Sequence, residues 1–347
     1  MKITVSDTMT ETHKKQLYHV TVDFDRDGKQ IGTFQVPLSV HDDAWGVIPV
    51  PVAVIKNGEG PTVILEGGNH GDEYEGPIAL GELIRDIDVA DVTGRLIVIP
   101  AINQPAVLAA QRTSPIDGIN MNRAFPGDAL GSATEQIAAF VNDVLFPMGD
   151  VFIDLHSGGS SLNIIPSAVI EPGLTPEQHV ANVKAASAFG TPLAVVIDNR
   201  GDPRTATASA ARAGMTVIGT EMGGAGTTSI EALALCRRGI RNVLASVGVL
   251  PQRMATPVPA PKLYTLSPLA HLITEDDGVF EALHPLGTEV SAGDVAGRVH
   301  FLTQPARSPV ELRYRTSGIV YARRQPGRVR PGNCCIVVAS PHTEVQS

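Results

Sequence analysis

The chain has 347 residues, 43% hydrophobic and 18% charged, enough for one large domain, a smaller one and a substantial buried core. That composition excludes a disordered chain. A net charge of −9 without a long basic run argues against nucleic acid as the main partner. No apolar run reaches the roughly 18 residues that a membrane span needs.

In chain order, MKITVSDTMTETHKKQLYHV is polar throughout and lacks the apolar core of a secretory signal, so a cytoplasmic protein is expected. The apolar runs TVILEGG (62–68), RLIVIPA (95–101), VFIDLHS (151–157), PLAVVID (192–198) and MTVIGTE (215–221) predict buried strands. Between them PIALGELIRDI, ATEQIAAFVNDVLF, EQHVANVKAASAF and SIEALALCRRGIRNVLASVG carry helical spacing. The alternation implies an α/β fold, a sheet covered by helices on both faces, with chemistry collecting at the carboxyl ends of the strands. The prolines of MATPVPAPKLY (254–264) read as a linker. Beyond it, short β-like stretches punctuated by glycine predict a small all-β domain. The expected division is a catalytic domain over 1–255, with an N-terminal β extension, and a β-domain over 256–347.

The rhythm of that β-domain (G-V, G-x-x-V-x-x-G-D, S-G-I-V, G-x-V-x-P-G-N) is similar to a biotinyl or lipoyl carrier barrel. No lysine follows Lys262, so a swinging arm has no attachment point. The basic stretch YARRQPGRVRP within it reads as a solvated turn region. The three cysteines, Cys236, Cys334 and Cys335, form neither a disulfide framework nor a Cys-x-x-Cys metal site.

Chemistry is concentrated at the ends of the predicted strands. GGNHGDEYEG (67–76) holds His70 and Glu73 in an H-x-x-E spacing, which lets an imidazole and a carboxylate point at one place. Both are competent zinc ligands, and the flanking glycines allow close backbone approach; alone, the spacing fits a structural pair as well. His156, ending VFIDLH before S-G-G, is the candidate third ligand, the alternative being a hydrogen-bonded core histidine. Glu221, ending a strand before a glycine run, is an expensive carboxylate unless it is partnered or functional, and is the candidate base. The loop QRTSPIDGINMNRAFPG (111–127) presents Arg112, Asp117, Asn122 and Arg123. Its guanidiniums suit a substrate carboxylate or a developing oxyanion, or they merely pair with loop carboxylates.

Together H-G-D-E (70–73), Arg112, N-M-N-R-A-F-P-G (120–127), D-L-H-S-G-G (154–159) and T-E-M-G-G (220–224) resemble, in order and separation, the succinylglutamate desuccinylase and aspartoacylase family, relatives of the zinc carboxypeptidases. The resemblance implies a zinc-carboxypeptidase-like mixed sheet flanked by helices, with a small C-terminal all-β barrel. It implies a zinc-dependent amidohydrolase acting on a small N-acyl amino acid. One zinc per chain would be held by His70, Glu73 and His156, with Glu221 as general base. Arg112 would meet the scissile carbonyl oxygen, and Asn122 and Arg123 the substrate carboxylate. A peptidase of carboxypeptidase type is the rival reading, since its zinc set would be the same. A homo-oligomer is compatible with the sequence.

Within that family, DDAWGVIPVPVAVIKNGEGPTVILEGGNHGDEYEGPIAL and RTSPIDGINMNRAFPG are similar to the bacterial members acting on N-α-acetyl-L-2,4-diaminobutyrate in ectoine breakdown. The chain departs from them at 157–170 and 195–214, stretches read as shaping the side-chain pocket. Asp117, Asp198 and Asp202 are the candidate partners for that substrate's side-chain ammonium.

Overall fold

The computed structural model describes residues 18–198 and 201–342. Most of the polar N-terminal segment, including His13, lies outside them. The first strands are β1 (His19–Val20), β2 (Gly28–Val40) and β3 (Asp43–Asn57). β2 and β3 pair antiparallel along nearly their whole length, an N-terminal β extension that leads into the central sheet. There follow β4 (Thr62–Gly67), α1 (Glu75–Asp86), β5 (Gly94–Ile99), α2 (Gln104–Ala109), α3 (Ala133–Phe140) and β6 (Val151–His156). Next come β7 (Leu162–Ile164), β8 (Ser167–Ile170), α4 (Pro176–Phe189), β9 (Leu193–Val196), α5 (Ala206–Arg212), β10 (Thr216–Glu221) and α6 (Ile230–Ser246).

β4, β5, β6 and β10 run parallel in the order β5-β4-β6-β10, and β8 adds antiparallel to β10. β4 is buried at every residue, because it has a strand on each edge and packed side chains on each face. That is why TVILEG reads as one unbroken apolar run up to its last two residues. On one face α1, α4 and α6 cover Val63, Leu65, Ile153, Leu155 and Ile218. On the other, α3, α5 and the hairpin cover Ile64, Ile97, Phe152 and Val217. The chain leaves β4 for β5 on one side and returns through β6 on the other. This reversal of strand order opens a crevice at the carboxyl ends of β4 and β6.

Two local readings change. The helix expected over 133–146 ends at Phe140; Val141–Leu145 form a wider turn, closed by Phe146 N–H on Val141 O, and Phe146–Met148 a tighter one. Pro147 has no N–H to continue the α ladder, and its ring crowds the carbonyl four residues back. The stretch read as linker contains strand β11 (Lys262–Thr265), hydrogen-bonded parallel to β9.

The rest of the described chain is β12 (His271–Ile273), β13 (Gly278–Ala282), β14 (Glu289–Val290), β15 (Val295–His300), β16 (Val310–Arg313), β17 (Gly318–Arg324), β18 (Arg328–Val329) and β19 (Cys334–Pro341). β19 pairs with β11 and carries the large mixed sheet on to β17 and β14. A separate antiparallel sheet has the order β16-β15-β13-β18. Between them lies a core of Phe280, Val299, Tyr314, Val320, Ile336 and Val338. Cys236 and Cys335 are buried and Cys334 is half-buried. No helix among the described residues is long and apolar enough to cross a membrane.

Candidate functional site

His70, Glu73, Arg112, Asn122, Arg123, His156 and Glu221 meet at the crevice. His70 and Glu73 lie on the turn between β4 and α1, which packs tightly on α2: a Cβ on Gly71 would stand 2.0 Å from the Ala106 carbonyl. His156 and Glu221 end adjacent parallel strands and are register partners. Their side chains therefore rise from the same face at the same level. The loop after α2 brings Arg112, Asn122 and Arg123 over the opening, and all seven residues line one cavity of about 370 Å³.

The hydrogen bonds fix how the two imidazoles face. Asn120 Oδ1 accepts the Asn122 backbone N–H at 3.0 Å, so the atom facing His70 Nε2 at 3.1 Å is an oxygen. Nε2 must then carry the ring proton, which leaves Nδ1 a lone pair. His156 Nε2 lies 3.0 Å from Asp154 Oδ1, whose negative charge favours a ring proton at Nε2. The two Nδ1 atoms point at Glu73, 2.7 Å from Oε1 and 2.9 Å from Oε2. Ser157 N–H also donates to Oε2, at 3.0 Å.

Two lone pairs thus confront a buried carboxylate, an arrangement that needs positive charge at its centre. A proton on His156 would serve: burial alone would lower its pKa, but Asp154 and Glu73 outweigh burial and push it well up. A divalent cation would serve equally. The donor atoms of His70, Glu73 and His156 lie within 4.8 Å of one another, so this group can hold a metal ion. Two imidazole nitrogens and a carboxylate, each ring held by an acceptor on its far nitrogen, form a donor set that fits zinc. Glu73 is correspondingly held far below the usual carboxylate range: burial opposes ionisation, and His70 and His156 overcome it.

Glu221 sits beside this group with its Oε2 buried and unpartnered. Burial and the charge of Glu73 push its pKa up to about 8, in the range where a carboxylate trades protons near neutrality. Arg112 Nη1 reaches to 3.3 Å from His70 Nδ1 and 3.5 Å from Glu73 Oε1, its guanidinium half-exposed at the mouth. Asn122 is held by Ala206 N–H on its Oδ1 at 3.0 Å, with Nδ2 3.4 Å from His156 Nε2. Arg123 is half-buried and paired with Asp202 at 3.2 Å.

Sequence reasoning missed several residues. Asp154 and Asn120 orient the two histidines, and Asp72 ties the loop after β6 by accepting Ser160 N–H and Oγ–H. A charged residue inside the otherwise apolar VFIDL was the available signal for Asp154. Glu171, just past β8, also lines the cavity, and nothing in its local sequence marks it. The carboxylates expected to meet a substrate ammonium lie elsewhere. Asp117 accepts Ile119 N–H, Thr134 N–H and the Thr134 hydroxyl; Asp202 holds Arg204 and Arg123; Asp198 and Asp202 line a neighbouring open groove.

Comparison with known proteins agrees with this site. Residues 59–247 match the profile of the succinylglutamate desuccinylase/aspartoacylase catalytic domain. The chain is 42% identical over 321 residues to the N-alpha-acetyl-L-2,4-diaminobutyric acid deacetylase of Halomonas elongata, covering 92% of this chain and 94% of that one. It is similar to the product-bound ectoine utilization protein EutE (DoeB) of Ruegeria pomeroyi (39% identity, TM-score 0.90, 93% of this chain and 99% of that one). It is also similar to a succinylglutamate desuccinylase/aspartoacylase from Rhodobacter sphaeroides (38% identity, TM-score 0.89, 94% and 100%). The chain belongs to the succinylglutamate desuccinylase/aspartoacylase family.

Proposed function

We propose that the chain hydrolyses the amide bond of an N-acyl amino acid, and that its substrate is N-α-acetyl-L-2,4-diaminobutyrate, the compound named for its Halomonas elongata relative. The observation that carries the chemistry is the convergence of two imidazole nitrogens on Glu73, with the buried, unpartnered carboxylate oxygen of Glu221 in the same cavity. One zinc ion per chain, held by His70, Glu73 and His156, would acidify a water molecule and polarise the amide carbonyl.

The chain's own groups do the rest. Glu221 takes the proton of the attacking water and passes it to the leaving nitrogen, without which an amide anion would have to depart. Arg112 donates to the carbonyl oxygen as charge develops there, a contribution of about 3 kcal/mol for one well-placed donor. Asn122 and Arg123 hold the substrate carboxylate at the mouth, Arg123 exchanging its contact with Asp202 for one with substrate. The products are acetate and the free diamino acid. We read the protein as cytoplasmic, with its catalytic domain over 1–255 and a carrier-like β-barrel over 256–347, and the large sheet as zinc-carboxypeptidase-like.

Purified protein should release acetate from acetylated amino acids and leave short peptides intact; the reverse would assign a peptidase. Metal analysis should find about one zinc per chain, and greatly reduced zinc in His156→Ala. Full occupancy in that variant would show that the metal lies elsewhere.

A further inference from the structure

The cavity has a second buried carboxylate that the hydrolytic chemistry leaves unused. Val169 on β8 is the register partner of Gly219 on β10, and Ser167 that of Glu221. Val169 and Gly219 therefore share the face that carries Glu221, one step deeper. Two residues past Val169, Glu171 lines the same cavity and is 8% exposed. Gly219 also lines it, and its missing side chain keeps the space between the two ends open. Val169, Ile197 and Thr207 also line the cavity.

Among the described residues Glu171 has the Thr207 hydroxyl as its hydrogen-bond partner and no ion-pair contact; the charges acting on it are Asp198 and Asp154, which oppose its ionisation, and more weakly Arg212, which favours it. A buried carboxylate with no ion-pair partner among the described residues is costly, and a cation that entered with the ligand would relieve that cost. Burial pushes its pKa up to about 7, and an entering cation would restore its charge. Four residues of strand separate the level of Glu221 from that of Glu171, roughly 13 Å, and the five bonds from an α-acylamide carbonyl to a 4-ammonium span about 6 Å of that.

We infer that Glu171 is the specificity-determining residue of this enzyme, taking the side-chain ammonium of an Nα-acylated 2,4-diamino acid in the same cavity as Glu221. The inference rests on the amide-hydrolase reading above and extends it to the side chain. It replaces Asp117, Asp198 and Asp202 in that role, and it makes acidic side chains poor substrates, since they would meet Glu171 with no cation between.

The test compares wild-type enzyme and Glu171→Gln on Nα-acetyl-2,4-diaminobutyrate and on Nα-acetylnorvaline, which replaces the ammonium by a methyl group of similar size. Wild type should favour the diamino substrate by at least about tenfold in kcat/KM. Glu171→Gln keeps the side chain's size and should bring that ratio near unity, chiefly through KM for the diamino substrate. A ratio unchanged in the variant, or an equal loss on both substrates, would overturn the assignment while leaving the amide-hydrolase reading intact. So would a wild type indifferent to the ammonium or preferring acetylaspartate. A wild type that hydrolyses none of these would sink the functional reading and this inference with it.

Discussion

At the scale of single residues, the site separates holding a cation from moving a proton. Glu73 is fixed by His70, His156 and a backbone N–H, so it has no freedom to shuttle. Glu221 Oε2 is buried without a partner, which suits it to the role of base proposed above. Glu221→Gln should keep fold and zinc and lose about 10²- to 10⁴-fold in kcat, because a carboxamide accepts no proton; near-normal turnover at full zinc occupancy would identify another base. The two arginines should split. Arg112→Ala should chiefly lower kcat and Arg123→Ala chiefly raise KM, and the opposite pattern would exchange their roles.

Glu66 offers a pH test. Burial, then the charge of Asp154, pushes its pKa up to about 8, while the unfolded chain ionises near the ordinary value of about 4.3. Between those values the native state binds more protons than the unfolded state, so the contribution of Glu66 to stability is full below the lower value and is lost as pH rises toward the upper one. Glu66→Gln should remove that loss. Its stability relative to wild type should climb across this window by up to about 1.4 kcal/mol per pH unit and level off above it. Parallel denaturation curves for the two proteins at every pH would show that Glu66 is ionised in the fold.

At the scale of elements, the site depends on how closely the turn after β4 lies against α2. Gly71 N–H donates to Gln111 O at 2.9 Å, and its Cα packs on the Ala106 carbonyl. Gly71→Ala would force that backbone apart and carry His70 and Glu73 with it. The variant should melt lower than wild type and bind zinc more weakly, as calorimetry and metal titration would show; unchanged zinc affinity would mean that the turn absorbs the methyl without moving the ligands. The meeting of His70, Glu73, His156 and Glu221 was legible in the sequence because each ends or closely follows an apolar run, where chain direction already aims side chains at the rim of a parallel sheet. Asn120 and Asp154 were not assigned, because their roles depend on which ring nitrogen they face.

At the scale of the whole molecule, the C-terminal strands complete the wall of the cavity. Leu162 and Ile164 line it, and β7, which carries them, pairs with β17. Next to that pairing the Tyr321 hydroxyl lies 2.7 Å from Ser167 Oγ, at the level of Glu221. Tyr321→Phe would leave the buried Ser167 hydroxyl without this partner, a cost of about 1–3 kcal/mol, and should lower Tm while leaving zinc content intact. No change in Tm would mean that Ser167 finds another acceptor.

By itself the sequence determined the α/β class, the strand ends that carry His156 and Glu221, the arginine loop and the β character of the C-terminal part. Each rests on a local pattern: the hydrophobic period, a glycine after a strand, or a polar residue closing an apolar run. Only the tertiary structure decided that Lys262–Thr265 is a strand beside β9, which proline-rich surroundings had hidden. Only it brought Glu171 below Gly219, because that neighbourhood comes from the antiparallel register of β8 and β10, whose partners lie about fifty residues apart. A strand of four residues such as SAVI shows too little periodicity to announce its own register. The sequence therefore marked where the amide is cut, and long-range strand pairing decided what can lie beside it.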